Sequence, residues 1–177
     1  FQDCFIPDEN VVGLVDKGAK ERAEFMAASN AYAGASVLGV AVALHNKAVE
    51  WAKLRVQGGK LLVEHDGIRA QLAEMRMLID ASRSYVHRAC WLADHKEQGW
   101  DRTLSILPKA MASQAAWKIA TWCLEIHGGY GYMKETGVEK LVRDAAAFLH
   151  SDGVNRTLFL TAANAMFGLL PNPGKRE

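Results

Sequence analysis

The chain has 177 residues, half of them apolar, with 21 basic and 20 acidic side chains and a formal charge of +1. This length and balance suit one globular domain with a sizeable core. They exclude a one-signed basic face for nucleic-acid phosphates, because lysines and arginines are interleaved with acids, and no run reaches the roughly 18–20 apolar residues of a membrane span.

The N-terminus lacks a basic segment followed by an apolar core, so no secretory signal is read there. The expected location is the cytoplasm or, in a eukaryote, an organelle matrix. Cys4, Cys90 and Cys123 are odd in number and read as reduced, mostly buried side chains. His45, His65, His87, His95, His127 and His150 include no pair at metal-ligand spacing with a third ligand nearby, so no metal is expected.

In chain order, Asp3 to Pro7 is the only candidate strand. A long helix is predicted from about Lys17 to about Lys53. Its apolar face is Phe25, Met26, Ala33, Val37, Val40, Ala41, Leu44, Ala48 and Trp51, recurring at threes and fours. Ser29, Ala31, Gly34, Ala35 and Ser36 would let a neighbouring helix approach closely. Gly58-Gly59 turns the chain. A second helix then runs from about Asp66 to His95 on Ile68, Leu72, Met75, Met77, Leu78, Ile79, Val86, Ala89 and Leu92, and Gln98-Gly99 ends it. Asp101 is the expected N-cap of a third helix, with Pro108 inside as a possible kink. That helix passes through Met111, Ala115, Ile119, Trp122 and Ile126. Two shorter helices follow at about 137–149 and 153–168, and 169–177 is expected to be a loose terminus. Long helices joined by short turns predict an all-α, up-and-down four-helix bundle with short extra C-terminal helices.

Two places stand out chemically. The first is His127-Gly128-Gly129-Tyr130-Gly131-Tyr132 at the end of the third helix. A glycine costs roughly 1 kcal/mol against alanine inside a helix, so this cluster marks either a C-cap with a tight turn or a close approach of backbone to a ligand or another chain. The second is Asp152-Gly153, which by itself reads as an N-cap of the last helix. Trp51, Trp91, Trp100, Trp117 and Trp122 read as core or interface packing. Met75 and Met77 read as gap-fillers, and His127 and His150 as structural histidines flanking the second place.

Taken in order, the run from Ile126 to Tyr132, then Glu139-Lys140-Leu141-Val142-Arg143-Asp144, then Ser151-Asp152-Gly153 resembles the C-terminal domain of acyl-CoA dehydrogenases. Leu38-Gly39 followed by Arg55-Val56-Gln57-Gly58-Gly59-Lys60 is similar to that family's arginine, glutamine and glycine turn. Phe5 to Gly13 resembles the segment leaving its middle β-domain. The resemblance divides the chain into a tail of that β-domain at 1–14, a helical-bundle domain at 15–168 and the terminus at 169–177. It implies FAD as cofactor, an acyl-CoA substrate, an electron-transfer flavoprotein as partner, and self-association as a dimer or tetramer.

For the site, the resemblance implies Asp152 as the catalytic base, in the place of a glutamate in many relatives. A base must come within about 2.6–3.2 Å of its proton, directly or through a water. The alternative base position of a family subgroup is Ser29 here. The implied cofactor residues are Arg55, Gly59, Glu125, Gly128, Gly129, Val154 and Arg156, with Arg55, Gly128 and Gly129 reaching the FAD of a neighbouring subunit. Gly58 replaces a usual phenylalanine, Glu125 a glutamine and Val154 a threonine. Arg143-Asp144 matches a family pair expected to support the turn as a salt bridge. Aspartate at 152 with Gly58-Gly59-Lys60 and Glu64-His65 also resembles nitroalkane oxidase. That enzyme's arginine beyond the aspartate is Phe159 here, leaving Arg156 as its substitute. A nitroalkane-oxidase or monooxygenase-like flavoenzyme and a non-catalytic assembly module are therefore the alternatives.

Overall fold

The computed structural model describes residues 1–99 and 101–169; Trp100 and the terminus from 170 onward lie outside the described residues. Three long helices dominate: α1 (Gly18–Leu54), α2 (Asp66–Asp94) and α3 (Arg102–His127). A small hairpin, β1 (Val56–Gln57) paired antiparallel with β2 (Lys60–Leu61), joins α1 to α2. After α3 come one turn of helix, α4 (Gly129–Tyr132), and then α5 (Val138–Ala147) and α6 (Asn155–Met166). α5 packs on α1 and α3, and α6 packs on α3. The two short helices thus pack on the long ones chiefly through α3.

The predicted helix boundaries agree with those observed to within a few residues, and Asp101 caps α3 by accepting hydrogen bonds from the Thr103 and Leu104 N–H groups. α3 runs through Pro108 as one helix. Asp3 to Pro7 is not a strand, since none of the described residues pairs with it; the strands that do form flank Gly58 and Gly59, both at positive φ. A two-residue turn with both central residues at positive φ matches the twist of a hairpin.

The core is rich in alanine. Ala41, Ala48 and Ala52 of α1 share one buried cluster with Ala112, Ala116 and Ala120 of α3 and with Val37, Leu44, Met75, Ile79, Val86 and Ile119. Small side chains bring α1 and α3 close together. At Gly34 an added Cβ would lie 3.1 Å from Val86 Cγ2 and 3.3 Å from Lys109 Cα, so all three long helices meet there. Met75 is a buried gap-filler as expected, whereas Met77 is exposed because it lies on the outer face of α2. Only Cys123 of the three cysteines is buried; Cys4 and Cys90 are exposed. None of the described helices is long and apolar enough to cross a membrane.

Candidate functional site

The C-terminal end of α3 opens into a cleft of about 730 Å³, lined by Trp51 and Arg55 from the end of α1, Gln57 and Leu62 from the hairpin region, and Glu125 to Tyr130 from the α3–α4 junction. Its wall is aromatic. Trp51 stacks on His127 with ring centroids 5.1 Å apart and meets Tyr130 at the same distance, tilted by 46°. The Arg55 guanidinium lies 5.9 Å from the Tyr130 ring centroid, within cation–π range. His127 Nδ1 donates to the Cys123 carbonyl at 2.8 Å, which leaves Nε2 as an acceptor in the neutral ring. Burial holds the His127 pKa below its usual value, opposed by that hydrogen bond and reinforced by the charge of Lys47. Burial also pushes the Cys123 thiol up to about 12, so it stays protonated.

The glycines in this wall have different reasons to be glycine. Gly128 sits at φ 58°, ψ −138°, a conformation that a side chain would strain. Gly131 packs α4 onto α3, for its Cβ would come within 2.9 Å of the Leu124 carbonyl oxygen. Gly129 has neither reason: its φ is not positive, and no atom lies within 4 Å of the place a Cβ would take. Among the described residues, neither its backbone angles nor a contact from beyond its own helix requires glycine at 129. Backbone left bare beside a guanidinium is the surface that a phosphate or a flat ring can approach.

Arg55, Glu125, Gly128 and Gly129 are thus brought together in one cleft, while Gly59 sits in the adjoining hairpin turn. Asp152, Val154 and Arg156 are not in it. Asp152 and Val154 belong to the turn between α5 and α6 and Arg156 to the first turn of α6, beside the N-terminal part of α3, where all three side chains are exposed. Lys109, which contacts that turn, and His127 are separated along α3 by about 27 Å at the usual helical rise.

Asp152 adopts φ 52°, in the left-handed region that non-glycine residues seldom use. It does not cap α6, whose N-cap is Val154 with no side-chain hydrogen bond. Gly153 follows at φ 99°, and a Cβ there would lie 2.8 Å from Leu158 Cδ2. Beneath the turn is a buried polar network that the sequence reading missed. Lys109, fully buried, donates to the Gly153 carbonyl at 2.8 Å and to Asn155 Oδ1 at 3.0 Å. Asn155 Nδ2 donates to Ser113 Oγ at 2.8 Å. Burial brings the Lys109 pKa down to about 8, against the attraction of Asp152. The signal was present in Leu104 to Ala112, an apolar run broken by one charge at Lys109.

Other expected roles are reassigned. Arg143 and Asp144 do not pair with each other; Arg143 pairs with Glu139 and Asp144 with Lys140, both along α5, because neighbours four apart share a helix face. Trp51 lines the cleft, while Trp91 and Trp117 are exposed. Trp122 is half-buried with Lys118 Nζ 4.4 Å from its ring centroid. His127 does both jobs, satisfied internally and lining the cleft, and His150 is exposed. Among the described residues no group of three or more His, Cys, Asp or Glu side chains is placed to hold a metal ion.

A family model described as acyl-CoA dehydrogenase, C-terminal domain, matches residues 16–167. The short-chain specific acyl-CoA dehydrogenase of Megasphaera elsdenii is 35% identical over 167 residues, covering 94% of this chain and 43% of that protein. A subunit of the caffeyl-CoA reductase–Etf complex of Acetobacterium woodii is 30% identical over 156 residues, covering 88% and 41%. The solved structure of butyryl-CoA dehydrogenase from Megasphaera elsdenii matches with a TM-score of 0.88 at 33% identity, over 94% of this chain and 43% of that one. The chain spans less than half the length of these relatives.

Proposed function

The chain belongs to the acyl-CoA dehydrogenase family as its C-terminal helical domain, and from that premise we propose that it serves an FAD-dependent dehydrogenation of an acyl-CoA thioester, with Asp152 as the base. The observation that carries this reading is the Asp152 turn. Asp3 and Asp16 also adopt positive φ, but Asp152 alone of the three is exposed directly above a buried network; its carboxylate does not cap the helix it precedes and is presented outward, available as a base.

The cleft at the other end of α3 fits part of FAD. Arg55 offers a guanidinium to a pyrophosphate, Gly129 leaves backbone open to it, and Trp51 and Tyr130 offer ring faces. Glu125 is the one contrary group, and it suits the cleft if its carboxylate faces the solvent side, where it is exposed. Since Asp152 is far from this cleft, one chain contributes to two sites: the base to one and the cofactor cradle to that of a neighbouring copy. A dimer or tetramer follows from that division.

In the reaction, Asp152 takes the proton from the α-carbon of the thioester and holds it while the Cα–Cβ double bond forms. FAD, when bound, supplies the acceptor for the hydride leaving the β-carbon. Arg55 orients the cofactor's anionic part and the aromatic wall screens it from water. The relative in an Etf complex supports an electron-transfer flavoprotein as the next electron carrier. The exposed Phe5, Ile6, Val12 and Leu14 support the reading of 1–14 as the tail of a β-domain that would cover them.

The test is anaerobic bleaching of oxidised flavin by a panel of acyl-CoA thioesters, in the protein that contains this domain. One thioester class should bleach it rapidly. Asp152→Asn should keep its FAD and lose about 10²–10⁴-fold in rate, the usual range for removing a general base. Bound flavin that no thioester bleaches, but that reoxidises rapidly in oxygen after chemical reduction, would move the assignment to an oxidase or monooxygenase. A protein without flavin would leave an assembly module. Lys60 Nζ donates to the Glu64 carbonyl at 3.1 Å and His65 Nε2 to the Gln57 carbonyl at 2.9 Å. The residues shared with nitroalkane oxidase thus brace the hairpin, which weakens them as support for oxidase chemistry.

A further inference from the structure

We propose that Lys109 is a positioning residue for Asp152: its buried ammonium, anchored where three helices meet, holds the Gly153 carbonyl and the Asn155 side chain and so sets the turn that presents the base. The inference rests on Asp152 being the base.

The anchoring begins in the backbone. Gly34 of α1 and Val86 of α2 close on α3 at Lys109, where a single added Cβ would press on the Lys109 backbone at 3.3 Å. The root of this side chain therefore has no room to shift. Its other end is equally determined, with hydrogen bonds of 2.8 and 3.0 Å to two oxygens on either side of Val154. Asn155 is in turn tied to Ser113, one turn further along α3. The network spans the turn from inside, and Asp152 is the residue immediately before the first carbonyl it grips.

A lysine is a costly way to fill a core. An ammonium removed from water needs compensating partners, and here both hydrogen-bond acceptors are neutral oxygens. An apolar side chain of similar length would pack the same space without that cost but could not hold the Gly153 carbonyl. What lysine adds is a grip on the turn, together with the attraction between its charge and Asp152. Placement of a base matters steeply, since a displacement of about 1 Å can cost on the order of 10²-fold in rate.

The experiment compares the parent holoenzyme with Lys109→Met and Asp152→Asn. In Lys109→Met, flavin reduction by saturating acyl-CoA should slow by about 10–100-fold, with KM and FAD content within about twofold of the parent. The isotope effect with α-deuterated substrate should increase, which a general loss of stability would not produce. Amide hydrogen exchange over residues 149–158 should rise by about tenfold or more, reported by the Asn155 N–H that donates to the Leu149 carbonyl, while the core of α1 stays protected. Parental rate, isotope effect and exchange in Lys109→Met would overturn the proposal. If Asp152→Asn keeps its rate, the base reading fails on its own, and the exchange comparison still decides whether Lys109 holds the turn. Should Lys109→Met not fold, Asn155→Ala loosens the same grip from its other end. The same changes at smaller size are then expected, and parental behaviour would sink the idea.

Discussion

The two ends of α3 are finished in opposite ways. At the Asp152 end the buried side chains of Lys109, Asn155 and Ser113 pair with one another and with the turn, and the exposed carboxylate sits on a backbone already set. At the cleft end the chain leaves things open: an aromatic wall, a guanidinium and a glycine with no internal reason to be one. Under the proposed function, the difference teaches that a group which is to act is pre-organised by its own chain, whereas a surface that is to receive a ligand is left for that ligand to complete. About 27 Å of helix lies between the two ends, so under the proposed function they would serve different sites.

The largest effect that would break this comparison comes from mixing subunits. Asp152→Asn disables the base end, and Gly129→Trp, which fills the bare backbone, disables the cleft end. Each should be nearly inactive alone. If a site takes its base from one copy and its cradle from another, co-assembled chains regain intact sites. Random pairing in a two-fold dimer predicts about a quarter of parental activity. If both ends served one site, co-assembly would leave no mixed site intact and activity would stay at the level of the single variants.

A smaller effect sharpens the account of the cleft. Gly128→Ala should destabilise the chain by about 1–3 kcal/mol, because alanine must adopt a conformation that is strained for it. Gly129→Ala should leave stability unchanged or raise it by up to about 1 kcal/mol, since its backbone suits any residue and alanine restricts the unfolded chain. FAD affinity should fall in Gly129→Ala even so. Thermal melts with and without added FAD separate the two, and equal destabilisation by both substitutions would mean that Gly129 is structural.

How much of this was legible in the sequence follows the same division. The three long helices were readable because apolar residues recur at threes and fours over many turns, and Asp101 carries its own cap signal. The cleft residues were legible as a cluster of glycines, but which of them the fold itself requires depends on φ values and neighbouring atoms. The Asp152 turn was misread by local rules alone: Asp-Gly before a helix suggests a cap, yet the helix begins later, at Asn155. Lys109 was not seen because its partners lie more than forty residues away in sequence. The hairpin was not seen because two-residue strands are too short to show alternation.

The two ends should also differ in how they respond to pH. Burial holds His127, at the cleft, below its usual value of 6.5, so below that pH the unfolded chain binds more protons than the folded one. The stability it contributes is therefore complete above about 6.5 and declines as the pH falls. Lys109 has a folded pKa of about 8 against 10.5 unfolded, so between these values the unfolded chain again holds more protons and stability gains a rising slope with pH. Melting curves over this range should show His127→Gln flattening the acid side alone and Lys109→Met the alkaline side alone. Each kcal/mol shifts Tm by about 2–4 °C in a chain of this size. A single variant that flattened both sides would mean that the two ends are coupled through α3, and that they do not titrate as independent halves of two different sites.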